Sequence, residues 1–174
     1  MEHELIQRIK GGDQKAFKQL YEQYADYAIR IATAVTRNQA NAKDVVQETF
    51  IRVYRNIHSF DNHQSFQPWL YRILLNECNR FLKKNSQTIP IDINEELNLP
   101  PEVDHYEFEE YEELYEAIGE LEDIHRVPLV LKYLSDFKER EIAQILELNL
   151  NTVKSRLFKG RQKLKELLLK VREG

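Results

Sequence analysis

The chain has 174 residues, of which 42% are hydrophobic and 31% charged, and its formal net charge is −4. This size and composition predict a soluble globular protein of one ordinary domain or two small ones. Its single cysteine, Cys78, excludes an internal disulfide framework and fits a reducing cytosol. No run approaches the roughly 20 apolar residues of a membrane span, and the N-terminus lacks the features of a signal peptide, so we expect a cytoplasmic protein.

The first 85 residues show helical spacing of apolar residues and no convincing alternation. A first long helix is predicted to begin near Asp13, after a glycine pair. A second is predicted to begin near Asn41, which can cap it, and to end at Ile57. After a loop over residues 58–65, Ser65 is a candidate N-cap for a third helix that continues to about Lys84.

Helical spacing is lost beyond this point and resumes later. Residues 86–108 contain three prolines and no basic residue, and we interpret them as an extended, self-repelling linker. A solvated acidic loop without contacts explains them equally well. Four further helices are predicted, near 114–121, 124–134, 139–146 and 150–171. The fold is therefore predicted to be all-α, with small helical domains at 1–85 and 109–174 joined by a flexible acidic linker.

Charge is segregated along the chain. The net charge is +4 over residues 1–85, −14 over residues 86–124 and +6 over residues 125–174. Two basic ends separated by an acidic middle make a nucleic acid a candidate partner.

The last two predicted helices have the arrangement of a helix-turn-helix. At about 100° per residue, one side of the final helix collects Val153, Leu157, Gly160 and Leu164. The opposite side collects Lys154, Ser155, Phe158 and Lys159, which suit contacts with base edges in a major groove. Arg156 and Arg161 lie on the flanks, toward phosphates, and Asn149 is the expected N-cap. A solvated amphipathic helix is the alternative, but an exposed Phe158 among charges of one sign weighs against it.

Two stretches resemble one family. TVKSRLFKGRQKL, preceded by EIAQIL, resembles the C-terminal domain of bacterial RNA polymerase sigma factors. AKDVVQETFIRVYRNI followed by SFQPWLYRILLNECNRFLKK resembles the core-binding and promoter-melting domain of the extracytoplasmic-function (ECF) group. The resemblance covers essentially the whole chain. It implies a non-enzymatic subunit without cofactor or metal, whose partners are core RNA polymerase (the β′ coiled coil and the β flap), promoter DNA and an anti-sigma factor.

The resemblance also implies roles for particular residues. Contacts with the upstream −35 element are expected from Asn149, Thr152, Lys154, Ser155, Arg156, Phe158, Lys159 and Arg161. Contacts with the −10 element during melting are expected from Phe60, Asn62, His63, Ser65, Phe66, Arg72, Asn76, Arg80 and Lys83. Contacts with core polymerase are expected from Asp44, Gln47, Glu48, Phe50 and Ile51, although Phe50 and Val46 should be partly in the core. Trp69 is expected to be a core residue that supports the melting loop.

The sequence departs from the family pattern around the helix-turn-helix. Glu147 stands at the tight turn where the family often has glycine, at a cost of about 1 kcal/mol if the turn is left-handed. Lys138 replaces a small capping residue, for which Asp136 and Glu139 are expected to substitute. Gly160 should weaken its helix relative to alanine.

Two other classes of function compete with this interpretation. A stand-alone helix-turn-helix regulator, or an adaptor with a protein-binding N-terminal half, shares the C-terminal features and would bind DNA without polymerase. An enzyme has little support, because the five histidines show no metal-ligand spacing with Cys78 and no glycine-rich phosphate loop is present.

Overall fold

The computed structural model describes residues 1–86 and 105–174. Within these ranges every regular element is a helix, which confirms the predicted all-α class. The helices are α1 (Glu2–Lys10), α2 (Gln14–Thr36), α3 (Gln39–Asn56), α4 (Phe66–Ser86), α5 (His105–Glu120), α6 (Asp123–Tyr133), α7 (Glu139–Leu146) and α8 (Leu150–Glu173). A single 3-10 turn at Ile57–Ser59 joins α3 to the loop before α4.

The N-terminal half is built on α2, α3 and α4, which pack side by side. Helix α2 begins beside Asp13 as predicted, and Asp13 is its N-cap: the carboxylate accepts from the backbone N–H groups of Lys15 at 2.9 Å and Ala16 at 3.1 Å. Helix α1, which was not predicted, packs against α2 through the buried Leu5 and other apolar residues.

Two helix starts differ from the sequence prediction. Helix α3 begins at Gln39, and its cap is Asn38 rather than Asn41: the Asn38 Oδ1 accepts from the Asn41 N–H at 3.1 Å. Asn41 therefore lies within the first turn, as the donor of the capping bond. Helix α5 begins at His105, so the last four residues of the predicted linker are helical. Residues 87–104 of that linker lie outside the described residues.

The C-terminal half contains the predicted helix-turn-helix, with α7 and α8 at the expected positions. The turn is left-handed at Glu147, with φ 55° and ψ 42°. The Leu148 N–H donates to the Ala143 carbonyl at 3.0 Å and the Glu147 N–H donates to the Gln144 carbonyl at 3.4 Å. These two bonds define a Schellman motif, the ending that normally favours glycine at this position.

The start of α7 corrects the capping prediction. Neither Asp136 nor Glu139 caps the helix; the Glu141 carboxylate accepts from the Lys138 backbone N–H at 2.8 Å. Glu141 is the third helical residue, so it performs the half of a capping box in which an acid reaches back to the residue before the helix.

The two halves pack against each other through α4 with α7 and through α2 with α5 and α6. The rings of Tyr71 and Phe137 meet edge to face, with centroids 5.0 Å apart. The guanidinium of Arg126, which is 5% exposed, donates to the Val35 carbonyl of α2 at 3.2 Å. Its Nη1 donates to the carbonyls of Gly119 and Leu121, so the two Nη groups are used for hydrogen bonds across and beside the interface, while the buried Nε has no partner among the described residues.

Candidate nucleic-acid and polymerase interfaces

The two faces of α8 divide as the helical spacing predicts. Val153, Leu157 and Gly160 are buried against the rest of the C-terminal half. On the other side, Phe158 is 57% exposed, and the remaining residues of that face, Lys154, Ser155 and Lys159, are exposed as well. A large aromatic ring left in water among cations contributes nothing to the core, so this face is suited to a partner with both negative charge and apolar groups.

The start of α8 is held by Asn149, whose Oδ1 accepts from the Asn151 N–H at 2.7 Å, which confirms the predicted N-cap. Thr152 and Arg156 are half-buried beside this first turn. They belong to a hollow of about 400 Å³ between α6 and α8, lined by Ile124, His125, Asn151, Thr152, Ser155, Arg156 and Lys159. The contributions of Asn151 and His125 were not predicted, because nothing in the local sequence places α6 beside this face.

His125 forms part of this hollow and is 5% exposed. Burial lowers its pKa; the nearby Lys163, Lys159 and Arg156 lower it further, while Glu122 opposes them. The neutral form of the imidazole is therefore favoured beside a basic surface. On the far flank of α8, the Arg161 Nη1 donates to the Tyr133 hydroxyl at 3.2 Å, which holds its guanidinium against α6.

Gly160 lies where α8 crosses α6. A Cβ at this position would stand 3.1 Å from the Leu129 Cδ1 and 3.4 Å from the His125 Cβ. The glycine therefore allows a close approach of the two helices, which offsets the lower helix propensity that the sequence alone assigns to it.

The melting loop, defined here as residues 58–65, rests on an aromatic cluster. Phe60 and Phe66, expected as contacts for a DNA strand, are only 2% and 1% exposed. Their rings pack on each other and on the half-buried Trp69, with the Phe60 and Trp69 centroids 5.1 Å apart. This corrects the prediction for the two phenylalanines, whose rings form the base of the loop. Trp69 occupies the supporting position that was expected.

The polar residues of the loop lie above this cluster. His63 and Ser65 are exposed, and Asn62 is half-buried. Lys10, which the sequence did not single out, reaches Asn62 and the Phe60 backbone from α1. The contact joins residues 50 or more positions apart, so no local pattern could have revealed it.

The predicted stripe along α4 is only partly open. Asn76, Arg80 and Lys83 are exposed, and the Arg80 Nη1 donates to the Glu77 carboxylate at 3.1 Å. Arg72 instead faces the second half: its Nη2 donates to the Gln144 carbonyl of α7 at 2.6 Å. In this conformation Arg72 is part of the contact between the two halves.

The predicted polymerase-binding face of α3 presents exposed Asp44 and Gln47, a half-buried Glu48 and Ile51, which is 38% exposed. The Glu48 carboxylate lies 3.5 Å from Arg52, one turn further along the helix. Phe50 is 3% exposed, so its ring belongs to the core and does not lie on the contact surface. This corrects its prediction as a polymerase contact and agrees with the expectation that it is partly in the core.

Exposed rings lie next to this face and were not predicted. Tyr21 packs on Phe50 at 4.8 Å and Tyr54 packs on Phe17 at 5.0 Å, and both tyrosines remain at least 39% exposed. The position of Tyr21 depends on the crossing of α2 and α3, which the local sequence does not display.

Two other kinds of site are absent from residues 1–86 and 105–174. No group of three His, Cys, Asp or Glu side chains in these ranges gathers in a way that could hold a metal ion. In the same part of the chain, no helix is long and apolar enough to cross a bilayer.

Both halves match known modules. Residues 20–88 match sigma-70 region 2, and residues 111–164 match sigma-70 region 4. The chain is 32% identical over 176 residues to the ECF RNA polymerase sigma factor SigW of Bacillus subtilis, and the match covers 94% of each chain. It is 32% identical over 173 residues to the ECF RNA polymerase sigma-E factor of Escherichia coli K12, covering 91% of this chain and 89% of the other.

A solved structure has the same fold. CnrH, solved in complex with the cytosolic domain of CnrY, superposes with a TM-score of 0.75 at 24% identity, and the match covers 95% of this chain and 96% of CnrH. The fold and the two modules define a sigma-70 type promoter-recognition subunit. The extent and identity of the SigW match are more specific: the chain belongs to the ECF RNA polymerase sigma factors.

Proposed function

We propose that this ECF sigma factor, which binds core RNA polymerase and directs initiation at specific promoters, reads the −35 element with the outward face of α8. The observation that carries the proposal is the division of that helix. On its apolar side Val153, Leu157 and Gly160 are buried and Leu164 is half-buried, while Phe158 stays 57% exposed among cations. Lys154 and Lys159 offer donors to guanine or phosphate acceptors, Ser155 can donate or accept, and the Phe158 ring suits a thymine methyl group.

The residues around this face have a different proposed task. One flank of the outward face is formed by Thr152, Arg156 and the N-terminus of α8, which is capped by Asn149. Arg161 lies at the other flank. The dipole and free N–H groups of a helix N-terminus favour a phosphate, and arginine side chains neutralise the backbone charge. These contacts set the register of α8 on the duplex without reading its sequence.

For the −10 element, we propose that the melting loop and α4 receive an unpaired strand. Asn62, His63 and Ser65 supply polar groups above the aromatic cluster, and the exposed Asn76, Arg80 and Lys83 continue along α4. Phe60 and Phe66 then act from below, by keeping the loop in place. Arg72 can join this surface only after leaving the Gln144 carbonyl.

For core polymerase, the proposed surface is the exposed face of α3, with Asp44, Gln47, Glu48 and Ile51 directed to the β′ coiled coil. Two acids and an amide beside an exposed isoleucine suit a basic helix with apolar residues. Contact of the C-terminal half with the β flap, and regulation by an anti-sigma factor, stay predictions from the family. The role is that of a binding subunit in the cytoplasm, and it requires no chemical step by this chain.

The test is transcription with core polymerase on a promoter library, using the full chain. Phe158→Ala and Lys159→Ala should change the preference at particular −35 bases, by about 1–3 kcal/mol for a good contact. Arg161→Ala should weaken binding to all sequences and reduce the salt dependence. Leu169→Ala, which truncates another exposed apolar side chain of α8, is the matched control. Uniform loss from the first three variants would refute the assignment of base reading to this face.

Polymerase binding is tested separately. Asp44→Arg should abolish assembly with core polymerase, because it reverses a charge at the proposed contact, whereas Glu4→Arg makes the same change on the exposed side of α1. Equal assembly of both variants would show that the α3 face is not the contact. Specific binding of the isolated chain to duplex promoter DNA, with no effect of core polymerase, would instead favour the stand-alone regulator.

A further inference from the structure

One side chain connects the end of α1 to the melting loop. The Lys10 Nζ donates to the Phe60 carbonyl at 2.8 Å and to the Asn62 Oδ1 at 3.1 Å. The same ammonium lies 5.9 Å from the centre of the Phe60 ring, within the range of a cation–π contact. Three favourable interactions of one cation therefore converge on two adjacent parts of the loop.

The base from which Lys10 extends is well fixed. Leu5, Ile6 and Ile9 of α1 are buried. Beyond the helix, Gly12 turns the chain at φ +89°, and the Asp13 carboxylate, which caps α2, accepts from the Arg8 guanidinium at 2.7 Å. Because α1 is packed on one side and tied to α2 at its end, Lys10 holds the loop against a rigid support.

Inside the loop, short-range bonds shape the backbone. The Asp61 Oδ1 accepts from the His63 N–H at 3.0 Å, and the Asp61 carbonyl accepts from the Gln64 N–H at the same distance. These bonds close a local turn but do not connect it to the body of the protein. Lys10 makes that connection for Asn62, and the aromatic cluster makes it for the Phe60 ring.

The contact also determines which way the Asn62 amide points. A lysine ammonium has three donors and no acceptor, so the group that faces Lys10 must be the amide oxygen. The two N–H donors of the Asn62 Nδ2 are thereby left for another partner. A half-buried asparagine in this orientation is suited to acceptor atoms on the edge of an unpaired base.

We infer that Lys10 is a positioning residue for promoter opening, which holds the melting loop in one conformation and orients Asn62 as a hydrogen-bond donor toward an unpaired base. The inference rests on the proposed role of this loop in strand capture. Its physical basis is preorganisation: a loop already in its binding conformation does not lose conformational entropy at the moment when a base leaves the stack. A charged donor makes the positioning bonds stronger than neutral ones would be.

The first test measures loop order without polymerase. The chain has one tryptophan, Trp69, whose ring packs on Phe60, so its fluorescence reports on the base of the loop. Lys10→Met removes the ammonium and keeps a chain of similar length. Acrylamide quenching of Trp69 should increase in Lys10→Met and stay as in wild type in Lys10→Arg, which can still donate twice. Lys15→Met, an exposed lysine on α2, removes the same charge as a control.

The second test measures promoter opening in the holoenzyme. Because hydrogen bonds from a charged donor are lost, Lys10→Met should reduce initiation on a duplex promoter by about tenfold. On a template already unpaired across the −10 region the loss should shrink to about twofold or less, since the enzyme no longer has to capture bases from a closed duplex. The positioning role would be overturned if acrylamide quenched Trp69 in Lys10→Met no more than in wild type. It would also be overturned if Lys10→Met lost the same amount of initiation on the two templates.

A third variant separates orientation from positioning. Asn62→Asp places a carboxylate against Lys10, which keeps the loop attached, but replaces the free donors with an acceptor. It should show wild-type Trp69 quenching and a changed base preference at one position of the unpaired strand. An unchanged preference would overturn the donor assignment. If the wild-type protein itself failed to initiate with core polymerase, the proposed function would be refuted. The Trp69 quenching experiment needs no polymerase, so it would still test the contact made by Lys10.

Discussion

Replacing Glu147 by glycine should stabilise the protein, although it removes a charged contact. Glu147 occupies the left-handed position of the turn between α7 and α8, at φ 55° and ψ 42°. In that conformation the Cβ of an L-residue crowds its own backbone, which costs about 1–2 kcal/mol. Glycine lacks the Cβ and adopts the same conformation without that cost.

Two effects oppose the gain. The Glu147 carboxylate lies 3.7 Å from Arg72 of α4, but it is 73% exposed, so this pair contributes about 0.2–0.5 kcal/mol. A glycine also has more conformational freedom in the unfolded chain, which costs about 0.4–1 kcal/mol. The relief of strain exceeds both, and the expected net gain in the free energy of unfolding is about 0.5 kcal/mol. The Schellman bonds from Glu147 and Leu148 use backbone atoms, so they persist in the variant.

The measurement is urea unfolding followed by circular dichroism at 222 nm, on wild type and three variants. Glu147→Gln keeps the strain and loses the charge, so it should be slightly less stable than wild type. Glu147→Ala keeps the Cβ and its strain but loses the rest of the side chain, and it should be less stable than Glu147→Gly by about 0.5–1 kcal/mol. If the glycine variant proved no more stable than the alanine variant, the turn would not be strained, and the left-handed geometry would not explain the preference of this position.

Three further predictions follow from buried groups. Burial raises the pKa of Cys78 to about 12, so the thiol should resist a thiol reagent at pH 8 until denaturant is added; fast labelling of the native protein would contradict its burial. Burial, together with cations of α8, lowers the pKa of His125 in the folded protein. The neutral imidazole therefore stabilises the fold at pH values above the unfolded-state pKa of about 6.5, and this stabilisation is lost as the pH falls below that value. His125→Gln should therefore reduce the loss of stability between pH 7 and pH 5, and an unchanged slope would refute the assignment. Glu77 is 6% exposed and pairs with arginines of α3 and α4, so Glu77→Ala should destabilise the protein by about 1–2 kcal/mol. Glu22→Ala, in an exposed pair, should cost about 0.5 kcal/mol or less. Equal losses in thermal melts would show that the buried carboxylate contributes no more than a surface pair.

The helix-turn-helix was predictable because its determinants are local. The bounds of α7 and the start of α8 follow from apolar spacing and from Asn149, whose capping bond forms within the first turn. Helix α1 was missed because its determinants are not local. It has nine residues, and its buried side chains face α2, so its stability comes from packing that the sequence pattern does not display. The shift of the α3 cap from Asn41 to Asn38 involves two asparagines three positions apart, and both are acceptable caps by type.

The melting loop shows where composition fails to separate two roles. Aromatic residues near a loop suit a surface that stacks on bases, and they suit a small core equally well. Phe60 and Phe66 are buried because Trp69 and the Tyr24 ring of α2 meet them there. The choice between the two roles depends on how α2 and α4 cross, and that crossing is set by contacts far apart in the sequence.

Arg72 shows why contacts between domains limit the interpretation of a single substitution. Its spacing with Asn76 and Arg80 correctly places the three on one side of α4, but α7 covers the first of them, and the Arg72 Nη2 donates to the Gln144 carbonyl at 2.6 Å. A guanidinium cannot keep that bond and contact a strand with the same donor. Arg72→Ala therefore removes a contact between the two halves as well as a candidate strand contact, so its effect on transcription combines both. Asn76→Ala truncates an exposed side chain on the same stripe, and its effect is the cleaner measure of strand binding by α4.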